Sequence, residues 1–285
     1  MKIFMHWDME GASGILKREQ VWYWEDGVPE EVGDEGRRLL IADINSAVAA
    51  ALEAGLDELI VCDTHHGGGN IVLDQMLSDP RVTYLEASRG HQDGKLRWMP
   101  GLDATVDGFM VPGHHAMAGT KGAFLPHTWT LEWTDFRING HSVGEMGIEA
   151  CFAGHWGIPV IFAQGDDAAC REAEDMFPGI VTACVKHAVT PETCEGPDPA
   201  SARQLTAAKV TEAIRGMQAG QCQAFQPELP MTVAITMDTA ERAEEAAARP
   251  GVVRTDTRTV EGLVDRHCDI VKWILGTGLD MPESP

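Results

Sequence analysis

The chain has 285 residues, 44% of them hydrophobic, and a formal net charge of −22 at pH 7, enough material for one large or two ordinary domains. Such charge repels nucleic-acid phosphates and anionic membrane surfaces, which argues against both as partners and favours a small neutral or cationic ligand. Seven scattered cysteines, with no C-x-x-C pair, suit a reduced cytoplasmic protein rather than a disulfide framework. No apolar stretch reaches the length of a signal-peptide core or a membrane span.

In chain order, Lys2–Met5 reads as a first strand. Arg38–Gly55 carries Leu40, Ile44, Ala47, Val48, Ala51 and Leu52 at helical spacing and stops at Gly55. Glu58–Cys62, Val82–Glu86, Gly108–Val111 and Pro159–Ala163 are short apolar runs separated by segments long enough for crossovers, the pattern of an α/β fold with a mainly parallel sheet and flanking helices. Thr128–Ile138 reads as extended, Asn139-Gly140 as a turn and Ser142–His155 as a helix. Beyond His187 the style changes: prolines and acids cluster at 190–199, then come an Ala-rich helix at Ala200–Met217, a strand at Met231–Met237, a helix at Thr239–Ala248, another strand and a final helix at Gly262–Leu275. These features predict a catalytic α/β domain over residues 1–187 and a smaller C-terminal α+β portion over 188–285.

Ligands in open α/β sheets bind beyond the carboxyl ends of the strands, and here those ends are rich in metal-ligand types. Met5–Gly11 reads MHWDMEG; residues two apart on a strand share a face, so Asp8 and Glu10 repel unless a cation or proton intervenes. The second strand runs into Asp63, His65 and His66, the GFMVP run into His114 and His115, and PVIFA into Asp166 and Asp167. Imidazole with carboxylate suits zinc or a similar first-row ion, and two ions sharing a carboxylate can activate water. No compact H-E-x-x-H signature is present, so the inference rests on the ensemble. Adjacent side chains of an extended chain point to opposite sides, which leaves one ligand in each His-His pair. Bland roles compete. Ser142-Val143-Gly144-Glu145 has the form of a capping box, His127 in FLPHTW suits packing as well as catalysis, and Asp63 either orients an imidazole or braces its loop. Asp166-Asp167 reads as the cap and first turn of a helix through Glu174.

The motifs Asp8-x-Glu10-Gly11, Asp63-x-His65, Gly113-x-His115-Ala116, the isolated His127 and Val143-Gly144-Glu145-x-Gly147 stand in the order and at the intervals of the zinc-dependent D-aminopeptidases of the DppA family, which the chain resembles clearly over residues 1 to about 187. The resemblance implies a dinuclear site of Asp8, Glu10, His65, His115 and Glu145, with Asp8 as the bridge, two divalent metal ions, zinc by preference, and His127 as the catalytic histidine, whether base, acid or nucleophile. It also implies a homo-oligomer, a decamer of two five-membered rings, whose enclosed sites admit short peptides. His6-Trp7 departs from the family, which usually has Ser two residues before the first acid, and the segment Val21–Asp26 (VWYWED) has no assigned place.

The expected function is therefore release of N-terminal D-amino acids from short peptides by a metal-dependent amide hydrolase. Its rivals are the same scaffold acting on another amide, a two-metal phosphoester hydrolase, disfavoured by the lack of an Arg or Lys cluster beside the motifs, and a non-catalytic binding or assembly module.

Overall fold

The structure, a computed structural model, describes residues 1–92 and 95–275. In chain order its main elements are β1 (Lys2–Trp7), α1 (Glu30–Glu53), β2 (Glu58–Asp63), β3 (Val82–Glu86), β4 (Ser88–Gln92), β5 (Lys95–Arg97), β6 (Gly108–Val111), β7 (Trp133–Ile138), β8 (His141–Ser142) and α2 (Glu145–Gly154). They continue with β9 (Val160–Asp166), α3 (Asp167–Met176), β10 (Val181–Thr190), β11 (Thr193–Glu195), α4 (Pro199–Gln218), β12 (Met231–Met237), α5 (Ala240–Ala247), β13 (Val253–Arg254), β14 (Thr259–Val264) and α6 (Lys272–Leu275).

A seven-stranded sheet of order β11-β10-β9-β6-β1-β2-β3 forms the centre, parallel throughout except for the β10–β11 pair. Strands buried on both faces must be apolar at successive positions, which is why KIFMHW and GFMV are continuous runs. Alternation along β1 then divides the interior: Ile3, Met5 and Trp7 pack with α1 and α4 on one face, while Phe4, with Phe109 and Val111 of β6, packs towards α2 and a second sheet on the other. The chain leaves β1 for β2 and β3 on one side, then returns to β6, β9 and β10 on the other. The crevice between the ends of β1 and β6 is thus the switch point at which such sheets take their ligands.

The second sheet is antiparallel, of order β13-β14-β12-β7-β8; β7 and β8 precede residue 187, and the other three strands follow it. Residues 276–285 at the end of the 188–285 portion lie outside the described residues. One expectation is overturned here: Gly262–Leu275 is not a helix. Met231 pairs with Val264, Val233 with Gly262 and Ile235 with Val260. Those ladder bonds and the alternating burial of Val260, Gly262 and Val264 hold Thr259–Val264 extended. Only Lys272–Leu275 is α-helical. Helix α1 starts well before Arg38, because packing of its first turns on residues 18–20 outweighs the poor propensity of Gly33 and Gly36. Among the described residues no helix is long and apolar enough to cross a membrane.

Two features tie this frame to the switch point. Asp8 N donates to the Pro112 carbonyl at 3.1 Å and Gly11 N to the Gly113 carbonyl at 2.6 Å, lacing the ends of β1 and β6 together. A Cβ at Gly113, where φ is +75°, would fall 2.1 Å from the Asp8 carbonyl oxygen, so no other residue fits. On α3, Glu172 accepts from Met117 N at 2.7 Å, and burial pushes its carboxyl up to about 7.

Gly113→Ala should lose about 3 kcal/mol or more of stability, since backbone rather than a movable side chain meets the new methyl group; an unchanged melting temperature would refute the close approach. A carboxyl whose folded pKa lies above its unfolded value costs nothing below the latter, and its penalty grows as pH rises through the former. Relative to Glu172→Gln, the wild type should therefore lose about 2 kcal/mol between about pH 5.5 and about pH 8.5 in urea unfolding; parallel curves would refute it.

Candidate active site

The strand ends deliver their side chains to one place. Asp8 and Glu10 leave the end of β1. Thr64, just past β2, donates both its N–H and its hydroxyl to the Trp7 carbonyl at 2.9 Å, and the turn that follows presents His65. Asp63 braces this turn rather than orienting a ring: its carboxylate accepts from Asn70 N at 2.7 Å and from Asn70 Nδ2 at 2.9 Å, while Asn70 Nδ2 also reaches the His65 carbonyl. His115 follows β6. Glu145 opens α2 directly after the N-cap Gly144, and no side chain caps this helix. The capping-box alternative therefore fails, because Ser142 lies in β8. The Glu145 carboxylate instead accepts from Trp129 N at 2.6 Å.

All five proposed ligands and His127 converge. His65 Nδ1 lies 2.9 Å from Asp8 Oδ1 and 3.2 Å from Glu10 Oε2; His115 Nε2 lies 3.4 Å from Asp8 Oδ2 and 3.3 Å from Glu145 Oε1. Asp8 thus offers one oxygen to each imidazole. His127 Nε2 is 3.6 Å from Glu145 Oε1, and its ring stacks on His115 with centroids 3.8 Å apart. The second histidine of each pair points elsewhere: His66, at φ +54°, lies against Trp24, and His114 turns to Glu149.

Backbone carbonyls set the protonation pattern. His65 Nε2 donates to Val21 O at 3.2 Å, His115 Nδ1 to Ala116 O at 3.1 Å and His127 Nδ1 to Leu125 O at 2.8 Å. A carbonyl only accepts, so each neutral ring keeps its hydrogen there and turns a bare nitrogen inward. Burial and the neighbouring Glu10 push the Asp8 carboxyl up. Burial would raise Glu10 as well, but His65 and, less strongly, His115 and His127 hold it well below its ordinary value. Burial opposes charge on His65 and His115, yet Glu10 and Glu145 respectively lift them well above the usual imidazole range. His127 goes the other way, lowered by burial and by His115 alongside. Glu10 Oε2 and His115 Nε2 are fully buried without a hydrogen-bond partner, the condition of atoms arranged for a cation. Among the described residues, Asp8 with Glu10 and His65, and Asp8 with His115 and Glu145, each gather donor atoms closely enough to hold a metal.

Three contributors escape sequence reasoning. Trp22 Nε1 donates to Glu10 Oε1 at 3.0 Å, and with Trp24 on His66 it gives the VWYWED segment its place as a wall of the site. Lys186, fully buried, donates through Nζ to the Glu10 carbonyl at 2.6 Å and to the Ile15 carbonyl at 2.5 Å; burial brings its amine down to about 8. Glu149 lies behind His114, and nothing in its local sequence marks it. A cavity of about 510 Å³ opens over Asp8, Glu10, His65, His127 and Glu145, walled by Trp22, Trp24, Trp98 and Trp129. A larger cavity of about 920 Å³ beside α3 contains none of these ligands, so chemistry rather than size identifies the site.

The sequence model of the M55 peptidase family, described as D-aminopeptidase, matches residues 1–275. A D-aminopeptidase of Bacillus subtilis strain 168 is 30% identical over 263 residues, covering 92% of this chain and 90% of its own. The solved structure of the Zn-dependent D-aminopeptidase DppA from Bacillus subtilis, described as a self-compartmentalizing protease, superposes with a TM-score of 0.87 at 27% identity, covering 97% of this chain and 96% of that one. Strand ends carrying the carboxylates and imidazoles, a fold shared over nearly the whole length and a family match across the described chain agree: the protein belongs to the M55 family of D-aminopeptidases.

Proposed function

We propose that the chain removes N-terminal D-amino acids from short peptides using two zinc ions held by Asp8, Glu10, His65, His115 and Glu145. The observation that carries this reading is the division of Asp8 between two imidazoles, one carboxylate oxygen facing each. Zinc and the D configuration rest on the family and its Zn-dependent relative. When bound, the ions supply Lewis acidity, which polarises a scissile carbonyl and lowers the pKa of water.

The protein's own groups do the rest. His127 keeps Nδ1 engaged with Leu125 O, and the shift that burial and His115 impose leaves its ring neutral. Nε2 can then take a proton from the attacking water and return it to the departing amine. Trp22 and Trp129 N–H orient the Glu10 and Glu145 carboxylates. The tryptophan walls exclude water and pack the apolar part of a short substrate, while the acidic interior attracts its free amine. The relative's self-compartmentalization supports a homo-oligomer, for which we propose a decamer. Seven free cysteines agree with a cytoplasmic location.

Matched D- and L-amino-terminal dipeptides should separate cleanly: turnover confined to the D series and abolished by chelator supports the reading, whereas chelator-resistant or L-selective turnover overturns it. Asp8→Ala and His65→Ala should each abolish turnover, and wild-type rates in either would remove the ligand assignment. His127→Asn should lower kcat by about 10²- to 10⁴-fold with little change in KM; an unchanged kcat would exclude proton transfer by His127.

A further inference from the structure

Behind the active site lies a second group of ligand-type side chains that the proposed reaction does not use. His6 Nδ1 is 3.0 Å from Glu149 Oε1, and His114 Nε2 is 2.7 Å from Glu149 Oε2. All three side chains are 0–1% exposed. Their positions repeat the active site one step along the same elements: His6 stands two residues before Asp8, His114 one before His115, and Glu149 one helical turn after Glu145. Among the described residues, their donor atoms gather as closely as those of the site itself.

The hydrogen bonds of the two rings fix which nitrogen of each faces the cluster. His6 Nε2 donates to the Trp98 carbonyl at 3.2 Å, and His114 Nδ1 to the Pro112 carbonyl at 3.2 Å. The inward nitrogens, His6 Nδ1 and His114 Nε2, then face the same carboxylate, with His114 Nε2 within hydrogen-bond distance of Glu149 Oε2 at 2.7 Å. A carboxylate buried this deeply between two imidazoles needs positive charge beside it, supplied by a cation or by a proton on a ring. Moreover, His6 Nδ1 and Glu149 Oε1 are both buried without a hydrogen-bond partner despite their closeness. The two active-site atoms Glu10 Oε2 and His115 Nε2 share that condition. A metal-bound imidazole whose other nitrogen is anchored by a carbonyl is the usual arrangement at such centres.

We propose that His6, His114 and Glu149 form a further divalent-cation site, separate from the active-site ligands and suited to zinc or a similar first-row ion. With imidazole and carboxylate donors and no opening to solvent, it is a structural site. It joins β1, the turn after β6 and α2.

The test is metal content by mass spectrometry on protein grown with zinc and dialysed, together with anomalous diffraction at the zinc edge. His6→Phe and Glu149→Gln should each carry about one ion per chain fewer than the wild type. The wild-type map should show a peak bounded by His6 Nδ1, His114 Nε2 and the Glu149 carboxylate. Because the difference between variant and wild type is read, the result does not depend on how many ions the active site holds. Should either variant fail to fold, the wild-type map alone decides. No peak at the triad, or full metal content in both folded variants, overturns the proposal and leaves shared protons as the charges that hold the cluster together.

Discussion

An imidazole nitrogen facing a buried carboxylate is the contact on which the structure turns. It occurs at His65 against Asp8 and Glu10, at His115 against Asp8 and Glu145, and at His6 and His114 against Glu149. Carboxylates gathered in so buried a place need positive charge, a cation or a proton on a ring, so the repetition of the contact around one crevice marks where that charge must enter. The sheet order serves this end. Placing β1 between β2 and β6 puts the acids of one strand within reach of the histidines of its two neighbours, and Gly113 removes the side chain that would hold those strand ends apart.

Acid is gathered here in a chain that is already strongly acidic, and the protein compensates locally. Lys186, driven beneath the Glu10 loop, supplies a buried cation to the carbonyls of Glu10 and Ile15. A neighbouring network of Ser13, Asp43, Gln164 and Thr206 satisfies further polar atoms where α1 and α4 meet the sheet: Gln164 Nε2 donates to Asp43 Oδ2 at 2.7 Å and to Thr206 Oγ1 at 2.9 Å. Buried polar groups tied up in this way resist rearrangement, because breaking one bond leaves a partner unsatisfied in a medium of low dielectric. The loop bearing Glu10 is thereby held in place whether or not its carboxylate is engaged.

Much of this was legible in the sequence, for identifiable reasons. Parallel strands buried on both faces leave continuous apolar runs, so β1, β2, β6 and β9 stand out, and the residues after them name Asp8, Glu10 and one histidine of each His-His pair, the family register choosing His65 and His115. Glu145 and His127 needed the family register, since one sits in a cap-like stretch and the other among apolar residues. The second sheet was harder. β7 pairs with β12 far along the chain, Ile138 with Val233 and Trp133 with Met237, and no local periodicity reports a partner at that distance. The same non-locality hid the end of β14, where residues 262–264 are held extended by pairing with β12. Glu149 and Lys186 were invisible for a third reason: an acid on a mostly apolar helix and a lysine on a strand look like ordinary surface positions until burial is known.

The groups that orient the imidazoles are main-chain carbonyls, those of Trp98, Pro112, Ala116, Val21 and Leu125. Every amino acid carries such an oxygen, so the side chain at these positions is irrelevant to the orienting bond. Alanine scanning would pass over half of the machinery, because Leu125→Ala keeps the acceptor that holds His127. What must be preserved is the path of the backbone, including the positive φ of +48° at Leu125 and of +63° at Trp129. Function in this chain is thus partly a matter of curvature, carried by the directions of main-chain carbonyls as well as by side chains.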